Sequence, residues 1–308
     1  MKVGIVGAGA VGATAAYAIG LMRAAQEVVL VDRSAALAEA QAADILHAMP
    51  FTSPARVSAG GYEALADAGI VILAAGVNQQ PGESRLALLS RNAAVFEDVI
   101  GQVLSVVPDP ILVIATNPVD IMTTVALRLS GLKASRVIGS GTILDTARFR
   151  SLLAGHLGVS SRSIHAYVLG EHGDSEVLGW SGARVGTMPL EAFAAQVRAP
   201  ITRSVRETVD EGVRRAAYRI ISGKGATNYG IGGGLARIVS AIAQDERAVL
   251  SLSAESETLT DYPRVAFSLP RLIGAEGLVA ELSPSLDANE AAALRASADL
   301  LKQTADAL

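Results

Sequence analysis

The chain has 308 residues, a length that suits one large domain or two of medium size. Its 26 lysines and arginines are outnumbered by 30 aspartates and glutamates, and the net charge of −4 argues against a nucleic-acid binder, which usually carries a basic excess. The absence of cysteine excludes a disulfide scaffold, a thiolate zinc site and a cysteine nucleophile. With half of its residues apolar, the chain is expected to be a globular cytoplasmic protein.

The first half of the chain alternates between strand-like and helix-like segments. Strands are predicted over residues 2–6, 28–31, 70–74 and 111–115, and helices over residues 10–24 and 35–48. Residues 3–22 carry no charge, but interrupting glycines argue against a membrane span or a signal peptide. Short apolar strands separated by helices are typical of a doubly wound α/β sheet that is covered on both faces.

After about Gly139 the pattern changes. Helices are predicted over residues 142–154, 203–221, 235–244 and 287–307, strands over 163–169 and 265–269, and a hairpin over 176–190. Strands followed by helices indicate an α+β architecture. We therefore predict two domains, residues 1–139 with the parallel sheet and residues 140–308 with the α+β fold.

A glycine-rich run, G-x-G-x-x-G, follows the first predicted strand and opens the first helix. Gly7 allows a tight turn, Gly9 lets the backbone approach a pyrophosphate, and Gly12 lets the helix pack close to the strand. Asp32 ends the second strand, where it can bond the ribose hydroxyls and repel the extra phosphate of NADP. The pattern predicts a Rossmann-type NAD site. The alternative is a glycine-rich turn followed by a helix-capping aspartate.

Four further polar segments accompany this motif. They are TNPVD (116–120) after a strand, LDTARFR (144–150) on a helix, GEHGDS (170–175) after a strand, and the loop GVNQQPGESR (76–85). Together with the glycine run, they resemble the L-lactate/malate dehydrogenase family over essentially the whole chain, and within it the bacterial lactate enzymes. The resemblance implies a Rossmann domain followed by a substrate domain, and hydride transfer between NADH and pyruvate that gives L-lactate and NAD.

The resemblance implies that His172 and Asp145 form the acid–base pair. An imidazole with an ordinary pKa of ~6.5 can give and take a proton near neutral pH, and a carboxylate partner orients it and stabilises its charged form. The alternative for His172 is a structural histidine.

The resemblance also assigns the substrate-binding residues. Arg148 would hold the substrate carboxylate through two parallel hydrogen bonds. Arg85 would polarise the carbonyl when its loop closes, and Asn117 would bond both the substrate oxygen and the nicotinamide ribose. Thr227 would line the substrate pocket. Without the resemblance, Arg148 reads as part of a solvated helix pair and Arg85 as a solvated loop residue.

Gln79 corresponds to the position that separates lactate from malate enzymes. A second substrate carboxylate would need a cation there, and a neutral glutamine suits the methyl group of pyruvate. Val11 and Ser140 are further cofactor positions that the family pattern implies.

Arg150 and His165 correspond to positions at which bacterial lactate enzymes bind fructose 1,6-bisphosphate between subunits of a homotetramer. The alternative is a subunit contact without a ligand. Two other functions remain open, namely a malate or bulkier 2-hydroxy-acid dehydrogenase on the same scaffold, and a non-catalytic NAD-binding protein.

Overall fold

The structure is a computed structural model that describes residues 1–77, 85–256 and 258–308, with the side chain of Arg85 left out. Gln79 therefore lies outside the described residues, and for Arg85 only the backbone is described. The first-half strands are β1 (Lys2–Val6), β2 (Glu27–Val31), β3 (Arg56–Ala59), β4 (Ile70–Leu73), β5 (Ile111–Ile114) and β6 (Val137–Gly139). The first-half helices are α1 (Ala10–Leu21), α2 (Ala35–Ala48), α3 (Arg85–Val106) and α4 (Val119–Ser130).

The second half begins with a long helix and then contains short strands. In chain order it has α5 (Ile143–Leu157), β7 (Ile164–His165), β8 (Val168–Leu169), β9 (Val177–Leu178), β10 (Arg184–Val185), β11 (Met188–Pro189), α6 (Leu190–Gln196), α7 (Arg203–Arg214), α8 (Ala216–Lys224) and α9 (Tyr229–Ala243). It ends with β12 (Ala248–Glu255), β13 (Ala266–Gly274), β14 (Gly277–Glu281) and α10 (Ala288–Asp306).

A nine-stranded sheet runs in the order β14-β13-β12-β6-β5-β4-β1-β2-β3. Strands β1 to β6 are parallel, and β12 to β14 join them antiparallel at the β6 edge. The chain order reverses at β1, which pairs with β2 on one side and β4 on the other. Ligands of such sheets bind beyond the carboxyl ends of the strands at this switch point. The predicted fold class, a Rossmann sheet followed by an α+β region, is confirmed.

The buried strands bury side chains on both faces of the sheet. On β4, Ile70 and Ile72 enter the hydrophobic cluster under α1 and α9, whereas Val71 and Leu73 enter the cluster under α3 and α4. Because neither face meets water, β4 shows no polar alternation, as expected for a parallel sheet between two helix layers.

Two predicted elements are divided in the structure. The predicted strand over 163–169 is split, since β7 pairs with β10 and β8 pairs with β9 in a different sheet. The predicted helix over 203–221 is interrupted at Arg215, where α7 ends and α8 begins. The predictions of a single strand and of a single helix are wrong at these points. For the strand, the reason is that an apolar run in the sequence does not show a change of pairing partner.

Other boundaries shift by a few residues. Helix α9 begins at Tyr229, six residues before the prediction, and includes Gly232, Gly233 and Gly234. The predicted hairpin is present as β10 and β11, while β9 pairs with β8 instead. Three strands of the second half extend the first sheet, so the division after residue 139 stays a prediction. Within the described part of the chain, none of the helices has the length and apolar character to cross a membrane.

Candidate active site

The glycine turn between β1 and α1 matches the requirements of a dinucleotide site. Gly7 has φ +103°, and a Cβ there would come within 2.5 Å of the Ala75 backbone. A Cβ on Gly12 would overlap the carbonyl oxygen of Gly7, so this glycine lets α1 pack against the turn. A Cβ on Gly9 would meet no protein atom within 4 Å, because that face of the turn is open. The open face lies at the start of α1, where free N–H groups favour phosphate.

A groove of about 920 Å³ extends from this turn along the carboxyl ends of β1, β2 and β4. Gly7, Gly9 and Asp32 line it. One Asp32 oxygen accepts the Ala8 N–H at 2.8 Å and the other accepts the Ser34 N–H at 2.9 Å, which fixes the carboxylate at the rim. The open glycine face and the carboxylate at the rim fit the pyrophosphate and the ribose of NAD. Val11 instead packs against the core and Ser140 is buried, and neither lines the groove as the structure describes it.

His172 and Asp145 are in direct contact. The His172 Nδ1 atom lies 2.5 Å from Asp145 Oδ2, and Asp145 Oδ1 accepts a hydrogen bond from Arg148 Nη1 at 2.7 Å. The Asp145 side chain is 2% exposed, whereas the His172 ring is 25% exposed and reaches the cavity. Both oxygens of Asp145 are thus bonded, and Nε2 is the ring nitrogen left to meet a ligand.

The local charges favour an imidazolium. Burial opposes the charged ring, but the negative charge and hydrogen bond of Asp145 outweigh it and raise the pKa of His172 to about 9. Burial likewise opposes ionisation of Asp145, but the charge and hydrogen bond of His172 and the charge of Arg148 hold its pKa below the ordinary value. At neutral pH the pair is therefore a carboxylate beside a protonated imidazole that can donate a proton.

The elements that carry this pair are joined by buried hydroxyls. Thr146 Oγ1 on α5 accepts the Val168 N–H at 2.9 Å, and Thr142 Oγ1, directly before this helix, donates to the Val168 carbonyl at 2.5 Å. These bonds fix α5, which bears Asp145, to β8, which leads to His172. Gly170 has φ +82°, and a Cβ there would lie 2.7 Å from Ser297 Oγ, so the turn after β8 requires glycine.

Arg148 and Asn117 line the same cavity as His172. This cavity measures about 480 Å³ and is also bordered by Leu88 and Ile221. Thr116 Oγ1 donates to the Ala75 carbonyl at 2.6 Å, which holds the end of β5, and hence Asn117, beside the end of β4. The cavity therefore combines a proton donor, a guanidinium and an amide next to the dinucleotide groove.

One further predicted substrate residue, Thr227, does not line this cavity. Thr227 lines a separate groove between α8 and α9, together with Lys224 and Tyr229. Gln79 lies outside the described residues, as does the side chain of Arg85.

The two predicted effector residues lie near each other. Arg150 Nε donates to the Ala166 carbonyl at 2.8 Å, and its guanidinium stacks 4.8 Å from the centre of the Tyr167 ring. His165 is exposed at the end of β7 and directly precedes Ala166. Arg150 therefore contacts the segment that carries His165.

Two acidic residues of the site were not predicted from the sequence. Asp120 is buried on α4 and accepts the backbone N–H of His172 at 2.7 Å, and burial raises its pKa to about 6. Glu176 is buried and lines the cavity. Each lies within or just beyond a motif quoted above, but only the fold reveals their burial.

Comparison with known proteins gives full-length matches. The family model for the lactate/malate dehydrogenase NAD-binding domain matches residues 1–139, and the model for the α/β C-terminal domain matches residues 142–307. An L-lactate dehydrogenase of Allorhizobium ampelinum is 59% identical, with 99% of this chain and 98% of the relative covered. One from Thermus aquaticus is 58% identical, with 100% and 99% covered.

Solved structures give the same answer. A lactate dehydrogenase from a Medee basin deep-sea metagenome library superposes with a TM-score of 0.96 at 40% identity, covering 99% of this chain and 98% of that one. The minor L-lactate dehydrogenase of Enterococcus mundtii superposes at 0.95 and 40% identity, covering 100% and 98%. With its dinucleotide groove and both family domains in place, the chain belongs to the lactate/malate dehydrogenase family and is an NAD-dependent oxidoreductase.

Proposed function

We propose that the protein is an L-lactate dehydrogenase that interconverts pyruvate and L-lactate. The observation that carries the proposal is the joining of His172, Asp145 and Arg148 in one cavity beside the dinucleotide groove. Relatives named L-lactate dehydrogenase, up to 59% identical over nearly the full chain, support it.

The chain's residues divide the work of pyruvate reduction. Bound NADH supplies the hydride to the carbonyl carbon. Arg148 holds the substrate carboxylate, and Asn117 orients the carbonyl oxygen toward His172. His172 donates its proton from Nε2 to that oxygen, and Asp145 stabilises the imidazolium before the transfer. The reverse steps, with neutral His172 as the base, oxidise lactate.

The test is NADH oxidation with pyruvate by the wild type and by His172→Asn. Asparagine cannot donate a proton at that position, so turnover should fall by about a thousandfold or more. The dissociation constant of NADH, measured by its fluorescence, should stay within about twofold, since the groove is separate from the ring. Turnover that survives the substitution would refute the acid–base assignment.

Pyruvate is proposed over oxaloacetate because Gln79 is neutral. Placing a second carboxylate beside it without a cation should cost about 3–5 kcal/mol. Saturation curves for the two acids compare them directly. A malate-type activity would be indicated by a preference for oxaloacetate, and a large pocket by equal use of bulkier 2-oxo acids.

We also propose a cytoplasmic homotetramer that fructose 1,6-bisphosphate activates. Exposed aromatic residues support association, with Phe51 at 88% and Tyr229 at 74% exposure. Arg150 and His165 from each of two subunits would form a cationic cluster for the phosphates. Because the strand is divided between β7 and β8, an effector signal to His172 would pass through Ala166 and Tyr167.

The activation is tested by pyruvate saturation with and without the bisphosphate. The wild-type curve should shift to lower pyruvate concentration, and Arg150→Gln and His165→Gln should each abolish the shift. Arg203→Gln, at an exposed position on α7, is the charge-matched control and should retain it. A wild type that shows no shift and no saturable binding at millimolar effector would leave only a subunit contact.

A further inference from the structure

Glu176 is a carboxyl group in the substrate cavity to which the steps above give no task. It lines the cavity together with His172 and Arg148, and it is 3% exposed. Its Oε1 atom is buried and finds no hydrogen-bond partner among the residues that the structure describes. An ionised carboxylate in such a place lacks the solvation that its charge requires.

A neighbouring glutamate shows the contrast. Glu171 is 8% exposed, and its Oε2 accepts the Ser175 hydroxyl at 2.6 Å. The chain thus supplies a donor to one buried glutamate of the segment, while Oε1 of Glu176, a residue that lines the cavity, has none among the described residues. A protonated acid at Glu176 could itself donate a hydrogen bond into the cavity.

The charged and titratable groups that act on Glu176 or line its cavity come from several elements. They are Asp145 and Arg148 from α5, Arg214 from α7, Tyr218 from α8, and His172 and Asp174 from its own segment. Burial, followed by the negative charge of Asp145, raises the pKa of Glu176 to about 8, although Arg214, His172 and Arg148 act in the opposite direction.

We propose that Glu176 is a positioning residue of the substrate cavity, whose carboxyl must carry its proton when the anionic 2-oxo acid binds. The inference rests on the proposed lactate dehydrogenase activity. An ionised Glu176 would compete with the substrate carboxylate for the cations of the cavity and repel it. At the short distances inside a cavity, this repulsion should lower substrate affinity about tenfold or more.

A linked consequence is proton uptake. If the substrate binds only the protonated acid, binding at pH 8 must add a proton to the half of the molecules in which Glu176 is ionised. His172, with a pKa of about 9, is then already mostly protonated and contributes only about a tenth of a proton. The measured uptake therefore reports chiefly on Glu176.

The experiment titrates the enzyme–NADH complex with oxamate, an isosteric amide of pyruvate that hydride does not reduce. Calorimetry at pH 8, in two buffers that differ in ionisation enthalpy, gives the number of protons taken up. The wild type should take up about half a proton or slightly more, and Glu176→Gln, which mimics the protonated acid, about a tenth. Glu39→Gln, at an exposed position on α2, is the matched control and should behave as the wild type.

Kinetics supply a second readout that a merely structural role would not move. Between pH 7 and pH 9 the KM for pyruvate should rise more in the wild type than in Glu176→Gln. An equal proton uptake in the two proteins, or KM profiles that run parallel, would overturn the proposal.

An infrared titration of the wild type removes any dependence on the folding of the variant. A carboxylic-acid C=O band should persist at pH 7, where Asp120 with its pKa of about 6 is mostly ionised, and should fall to about a tenth of its full intensity by pH 9. The absence of such a band would also overturn the proposal. Failure of the wild type to bind oxamate and reduce pyruvate would instead refute the proposed function, and this inference with it.

Discussion

Asp145 is a buried carboxylate whose two oxygens serve different partners, His172 on one side and Arg148 on the other. One residue thereby fixes the direction of the proton donor relative to the carboxylate-binding guanidinium. Removing Asp145 should be strongly destabilising, because it would leave a buried imidazole and a guanidinium without their counter-charge. The geometry thus explains how a single acidic residue can set both the charge of His172 and the orientation of His172 and Arg148 in the cavity.

The raised pKa of His172 predicts the pH dependence of lactate oxidation. Oxidation needs the neutral ring as a base, and the folded-state pKa lies above the ordinary value of 6.5, at about 9. The kcat at saturating lactate should therefore rise about tenfold per pH unit from pH 7 and level off above pH 9. In Asp145→Asn the midpoint should move toward lower pH, because the main group that stabilises the imidazolium has lost its charge. A midpoint that stays in place would contradict this source of the shift.

Four residues that the sequence motifs singled out line one cavity in the structure, namely His172, Asp145, Arg148 and Asn117. Their roles remain predictions. Asp120 and Glu176 could not be identified in the same way, because a carboxylate in the sequence carries no sign of its burial. Their altered pKa values arise from elements that are distant in the chain.

At the scale of elements, the pattern of apolar residues predicted most of the helices and strands, but it did not predict where two of them are interrupted. The strand over 163–169 divides because His165 and Val168 pair in different sheets, with Arg150 bonded to Ala166 between them. Neither glycine nor proline stands at Arg215 or directly beside it, and Arg214 donates to the Asp174 carbonyl at 2.9 Å. Such breaks are set by tertiary partners, which periodicity does not contain.

Adding one methyl group at each of three glycines should affect stability and NADH binding in three different ways. Gly12→Ala should lower the free energy of unfolding by about 2 kcal/mol, because the Cβ would overlap the Gly7 carbonyl in a packed turn. Gly9→Ala should leave that energy nearly unchanged and weaken NADH binding at least about tenfold, since its Cβ would occupy the open face of the turn.

The control is Gly101→Ala in the interior of α3, where a Cβ meets no atom within 4 Å and alanine should stabilise the helix by about 1 kcal/mol. Urea unfolding and NADH fluorescence distinguish the three variants. If Gly9→Ala bound NADH as tightly as the wild type, the pyrophosphate would have to lie elsewhere.

At the scale of the whole molecule, the main sheet crosses from one half of the chain to the other. Strand β12 joins β6 through the pairing of Ser253 with Gly139, and α9 packs against α1. The core under α1 contains side chains of both halves, among them Ile19 and Leu235. The two regions therefore share one hydrophobic interior although the family models divide them.

This shared interior predicts that residues 1–139 are unstable when expressed alone. Without α9 and β12, the apolar face of α1 and the open edge of β6 would be exposed to water. The fragment should aggregate or bind a hydrophobic dye such as ANS, and it should lack a cooperative thermal transition, whereas the full chain should show one. Cooperative unfolding of the fragment would mean that the first sheet is self-sufficient.

The packing of α1 against α9 also limits which halves of related enzymes can be combined in one chain. Gly232 of α9 sits so close to Thr14 of α1 that a Cβ would approach its side chain to 2.5 Å. In a chimaera that joined this dinucleotide-binding half to the C-terminal half of a relative, the packing surfaces of α1 and α9 would come from different proteins. A chimaera joined at residue 139 should therefore fold only when the donor has a small residue opposite Thr14. This single helix contact limits which relatives can supply the C-terminal half.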